Sequence, residues 1–103
     1  MIKNKIYINS IGVTISVTCR DYDYNLLDLT TATVHEFIVK KPDGEEVVWV
    51  ATVSGTNKEI LTYTTIDGDL DCAGSYIIQG LISVGTFTGY SEAFEFKVYD
   101  LYE

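Results

Sequence analysis

Proline is nearly absent from this chain: one residue in 103, at Pro42. Cysteine is scarce as well, with Cys19 and Cys72 the whole complement and no CxxC pair among them. Two isolated cysteines make neither a disulfide framework nor a zinc or redox motif, so both are expected as free thiols. Basic residues are few: seven Lys and Arg stand against fifteen Asp and Glu, a formal charge of −8. Nucleic-acid binding needs clustered cations to neutralise phosphates, and an anionic membrane surface needs the same, so neither partner is expected. No apolar run approaches the roughly 20 residues that span a bilayer. The opening MIKNKIYINS has two lysines but no apolar segment behind them, unlike a signal peptide, which predicts synthesis in the cytoplasm. A Gly-rich phosphate cradle is missing too.

What is abundant points to strands. The chain is 47% hydrophobic, rich in Thr, Val, Ile and Tyr, and its length suits one domain over residues 1–103. Residues 11–19 (IGVTISVTC) alternate, placing Ile11, Val13, Ile15, Val17 and Cys19 on one face. IKNKIYI before it predicts a short edge strand whose lysines discourage unwanted pairing. TVHEFIVKK (33–41) is apolar on both parities, as a central strand would be. In KKPDGEE, Pro42 presets the first turn position and Gly44 supplies positive φ beyond Asp43, predicting a tight hairpin. Its returning strand is EVVWVATV (46–53). Further strands are expected over 59–65, 74–84 and 92–99, with SGTN and GTFTGYS as loops. Seven or eight short strands with no helix predict an all-β, immunoglobulin-like antiparallel β-sandwich.

IDGDLDCAGSYIIQG (66–80) admits two readings. Asp67, Asp69 and Asp71 at alternate positions could wrap calcium, with Asp21 or Asp23 of DYDYN as further ligands. An EF-hand loop starting at Asp67, however, would place Cys72 where glycine is needed and Ile78 where the bidentate glutamate is needed. The preferred reading is a strand-connecting corner. Gly74-Ser75-Tyr76 holds the place of the tyrosine whose hydroxyl bonds back upstream, and Asp69 and Asp71 would cap a short helical turn through LDCAG. In antibody-type domains the second cysteine follows that tyrosine by two residues, which here is Ile78. Trp49 likewise stands outside the usual place on strand C.

The lone His35 has no assignable nucleophile, and its expected role is structural. Glu45/Glu46 and Glu92/Glu95 read as solvated charges rather than an acid–base couple. No enzyme activity, metal or cofactor is expected. Tyr7, Tyr22, Tyr24, Tyr90, Tyr99 and Tyr102 lie near termini or turns, where tyrosine favours protein interfaces or sugar-stacking surfaces.

The segments IYINSIGVTISVTC, DLTTATVHEFIVKKPDGEEVVWVATV, Y-T-T-x-D-G-D-L-D-x-A-G-S-Y-I-I-Q-G and FEFKVYD together resemble a family of small tailed-phage virion domains. They are similar to the N-terminal domain of phage baseplate upper proteins, over roughly residues 5–100. The resemblance implies an immunoglobulin-like sandwich that serves as a virion part, made in the host cytoplasm, docking to copies of itself or to other structural proteins. With no coiled coil or receptor-binding domain after the sandwich, a stand-alone baseplate, tail, neck or capsid decoration component is expected. IKNKIYI and FEFKVYDLYE would be docking edges, and Tyr7, Tyr99, Leu101 and Tyr102 the candidate interface residues. The competing expectation is a carbohydrate- or host-surface-binding module that uses exposed tyrosines and Asp loops.

Overall fold

The computed structural model describes residues 5–103 and is all-β. Its strands are β1 (Ile6–Tyr7), β2 (Thr14–Thr18), β3 (Val34–Lys40), β4 (Glu46–Val50), β5 (Thr52–Ser54), β6 (Ile60–Thr64), β7 (Gly74–Val84), β8 (Phe87–Tyr90) and β9 (Phe94–Tyr99). The large sheet runs β1-β9-β7-β3-β4, with β8 also on β7, and the small sheet runs β2-β6-β5. The orders β9-β7-β3-β4 and β2-β6-β5 correspond to G-F-C-C′ and B-E-D of the immunoglobulin plan.

Nine strands are present among the described residues, and each departure from the expected count has a local cause. The run 46–53 is two strands in different sheets. Ala51 is buried at the crossing, where its N–H donates to the His35 carbonyl at 3.1 Å and its own carbonyl accepts from His35 Nδ1 at 2.7 Å. Because a carbonyl can only accept, His35 carries its proton on Nδ1. The segment GTFTGYS contains β8, which pairs Val84 with Phe87 through Leu81 with Tyr90. It is separated from β9 at Ser91, whose N–H donates to the Gly80 carbonyl at 2.9 Å while its Oγ accepts from the Gly80 N–H at 2.8 Å. A side-chain oxygen thus replaces a backbone rung, and the strand bends.

The sandwich is not wholly antiparallel, because β1 pairs with β9 in parallel, Ile6 opposite Val98 and Tyr7 opposite Tyr99. Ile6 and Ile8 pack against the core from the large sheet, and positive φ at Asn9 then turns the chain toward the small sheet. Residues 2–4 of the expected first strand lie outside the described residues. Of the expected docking edge FEFKVY, β7 holds one side, and on the other β1 pairs with Val98 and Tyr99. The expected strand over 11–19 begins only at Thr14, and Ile11 faces solvent. Gly12 and Val13 both bond to Thr65, two residues opposite one, and this bulge breaks the parity that would have buried Ile11.

Inward residues of both sheets form one core around Phe37, Leu61, Tyr76, Ile78, Ile82 and Val98, each at most 1% exposed. Trp49 of the large sheet stacks on Tyr63 of the small one at 4.8 Å between centroids and joins the layers, while Tyr76 stacks on its cross-strand partner Phe96 at 5.3 Å within the large sheet.

Candidate functional site

The two motifs most prominent in the sequence, Pro42-Asp43-Gly44 and Asp69 to Tyr76, lie against each other. The hairpin is a three-residue loop: the Gly44 N–H donates to the Lys41 carbonyl at 2.9 Å, the Lys41 N–H to Glu45 O at 2.8 Å, and Gly44 has φ of 90°. Asp43 Oδ1 accepts from the Glu45 N–H at 2.9 Å. A Cβ on Gly74 would stand 2.7 Å from Pro42 Cβ, and the φ of 128° at Gly74 is itself hostile to side chains. Lys41 is buried between the motifs, with Nζ 2.8 Å from Asp71 Oδ1 and 3.6 Å from Glu45 Oε1. The hydrogen bond to Asp71 raises the lysine pKa and lowers that of the carboxyl.

Tyr76, fully buried, donates its hydroxyl to the Cys72 carbonyl at 2.8 Å and accepts from the Cys72 N–H at 3.2 Å. No helical turn runs through LDCAG: Asp69 and Asp71 have other partners. Asp69 Oδ2 accepts from the Tyr63 hydroxyl at 2.6 Å and the Ile66 N–H at 2.8 Å, closing the turn that precedes it. Asp71 is turned to Lys41. Burial, then Asp69, pushes the Tyr63 hydroxyl up to about 12. Among the described residues no three His, Cys, Asp or Glu side chains are grouped to hold a metal ion. DYDYN cannot assist Asp67, Asp69 or Asp71, because β2 and β6 pair with Thr14 at Thr64 and Thr18 at Ile60, which puts the two loops at opposite ends. Asp21 Oδ1 instead accepts from the Asp23 and Asn25 N–H groups, both at 2.9 Å.

Neither thiol is an activated nucleophile. Burial pushes Cys19 up to about 11. Burial and the neighbouring carboxylates of Asp71 and Asp43, 3.5 and 3.6 Å away, raise Cys72. His35 is committed to the sheet crossing. The chemistry of these groups is scaffolding.

The terminal residues meet at one edge. The Tyr7 and Tyr99 rings lie 6.4 Å apart, and Lys5 and Lys97 each place Nζ 4.7 Å from the Tyr99 centroid. Tyr7 donates its hydroxyl to the Glu103 carbonyl at 2.8 Å, which holds a turn presenting Leu101 and Tyr102 to solvent.

Two further surfaces stand out: sequence reasoning missed the first, and singled out the tyrosines of the second without the groove that gathers them. On the outer face of the large sheet Val48 opposes Ile38, Val50 opposes Glu36, and Ile77 opposes Lys40. Val48 and Val50 are 54% and 68% exposed, and Ile38, Val48 and Ile77 line a shallow hollow of about 470 Å³. The signal was legible, since VVWV is apolar on both parities, but β4 is an edge strand with its second face open to solvent rather than a strand covered on both. The second surface is a groove of about 740 Å³ between β2 and the β8–β9 strand, with Tyr22, Tyr24 and Tyr90 on its rim. No protein-family model matches the chain, and no curated protein matches its sequence.

Proposed function

We propose that the chain is a non-enzymatic structural protein of a bacteriophage particle, a baseplate or tail, neck or capsid decoration component. It docks onto other virion proteins and copies of itself. The observation that carries the docking is the aliphatic outer face, where Ile38, Val48, Val50 and Ile77 stand clear of the core. Contiguous apolar surface on a folded domain marks a protein contact. Charge supports the same face. Glu36, Glu46 and Glu95 alternate there with Lys40 and Lys97, nearly balanced, while most of the −8 lies elsewhere. An acidic chain can therefore meet a second acidic chain here with little repulsion. The virion setting rests on the family resemblance.

The test is a Val48→Asp/Val50→Asp double variant. Both positions are exposed, so the unfolding midpoint should hold while light scattering shows an assembled mass falling to that of one chain, or binding to the purified virion partner is lost. Unchanged association would overturn the reading.

A further inference from the structure

The groove between β2 and the β8–β9 strand is distinct from the outer face, and nothing in the docking reading uses it. Its volume, about 740 Å³, is that of a small-ligand site. Three large rings stand on its rim at high exposure: Tyr22 at 92%, Tyr24 at 70% and Tyr90 at 58%. Val17, Phe87 and Phe94 form an apolar floor.

Tyr24 is fixed at a cost to the backbone. Its φ is 70°, a conformation that residues with a side chain seldom adopt. Arg20 holds it there twice, with Nη1 donating to the Tyr24 carbonyl at 3.1 Å and the guanidinium 4.5 Å from the ring centroid. Asp21 ties the rest of the loop through its two backbone acceptances. The ring is therefore preorganised while most of it faces solvent. Lining the groove with it are groups that bond hydroxyls: the remaining Arg20 N–H donors, the Glu92 carboxylate and the Thr18 hydroxyl of β2.

We infer that this groove is a saccharide-binding site for neutral oligosaccharides, stacking sugar rings on Tyr24 and Tyr90 and bonding their hydroxyls through Arg20 and Glu92. Flat aromatic faces interleaved with bidentate polar groups match the alternation of C–H faces and hydroxyl edges on a pyranose. Charge selects neutral over anionic sugars, because Asp21, Glu92 and the net −8 oppose a carboxylate. An extended peptide is the lesser fit. β2 spans only five residues, and the facing strand is interrupted at Ser91–Ala93, so no continuous two-sided ladder can form.

The experiment is saturation-transfer NMR on the whole chain with cellotriose, maltotriose and the trimer of N-acetylglucosamine, and with sialyllactose as the anionic counterpart. At least one neutral trisaccharide should bind, shift the amides of residues 16–24 and 87–94, and outcompete sialyllactose. Tyr24→Gly removes the ring where glycine suits the backbone, so folding is retained and affinity should drop about tenfold, the loss of one aromatic contact. Tyr90→Ala should do the same, and Tyr7→Phe, outside the groove, should not. Absence of binding by all three neutral sugars, or full binding by Tyr24→Gly, overturns the inference. So does the absence of a sugar response in a protein whose Ser16 and Thr18 amides gain protection from an extended peptide, which would make the groove a strand-addition site.

Discussion

Replacing Tyr76 by Phe tests the corner that joins the E–F loop to the large sheet. The substitution keeps the buried ring and its stack on Phe96 but deletes a hydroxyl that donates to Cys72 O at 2.8 Å and accepts from Cys72 N–H at 3.2 Å. Each such bond contributes about 0.5–1.5 kcal/mol net. Cys72 is only partly buried, so water can reach its orphaned backbone groups in part, which argues for the middle of the range. The expected loss is about 2 kcal/mol, or about 10 °C in melting temperature for a chain of this size. Urea unfolding followed by Trp49 fluorescence gives the measurement, since Trp49 is buried against Tyr63 and will report its release. The slope with denaturant should stay unchanged. Tyr90→Phe is the comparison, its ring being exposed on β8, and should shift stability by less than about 0.5 kcal/mol. If Tyr76→Phe is as mild as Tyr90→Phe, the hydroxyl does not hold the corner and the reasoning fails.

Gly74→Ala should cost about 2–4 kcal/mol in the same unfolding assay, combining an unfavourable φ with contact against Pro42, and a near-neutral result would mean that hairpin and corner part easily. Asp71→Asn should destabilise the chain near neutral pH, with a signed pH dependence. Lys41 lowers the Asp71 carboxyl below its ordinary 3.8, so that stability is present above this value and lost as pH falls through the folded value. The lysine, raised above its ordinary 10.5, keeps its share below that value and loses it as pH climbs further. Wild type and Asp71→Asn should thus converge in acid titrations, and a constant gap down to about pH 2 would contradict the pairing. With a maleimide near pH 8, one thiol per folded chain should react, Cys72, while Cys19 reacts only after unfolding; equal labelling would place Cys19 at the surface.

Local chemistry was readable in the sequence. Alternating β-branched residues can bury one face only as strands, which dictated an all-β chain and a central position for residues 33–41. Pro-Asp-Gly restricts the backbone to few turns, and Gly-Ser-Tyr ahead of an apolar run located the buried Tyr76. The layer to which each strand belongs was not readable. Inward parity runs through Trp49, Ala51 and Val53 without interruption, so no residue pattern marks the crossing between sheets; hydrogen bonds to His35, sixteen residues earlier, decide it. The partner of Asp71 was equally out of reach, because Lys41 approaches from a hairpin thirty residues away. Parallel pairing of β1 with β9 joins Ile6 to Val98, 92 positions apart, a range at which no local pattern can signal a partner. The outer face and the tyrosine groove follow from these same choices. Side-chain polarity along a strand is set locally, but which polar or apolar face is left uncovered depends on which neighbours the folded chain brings beside it.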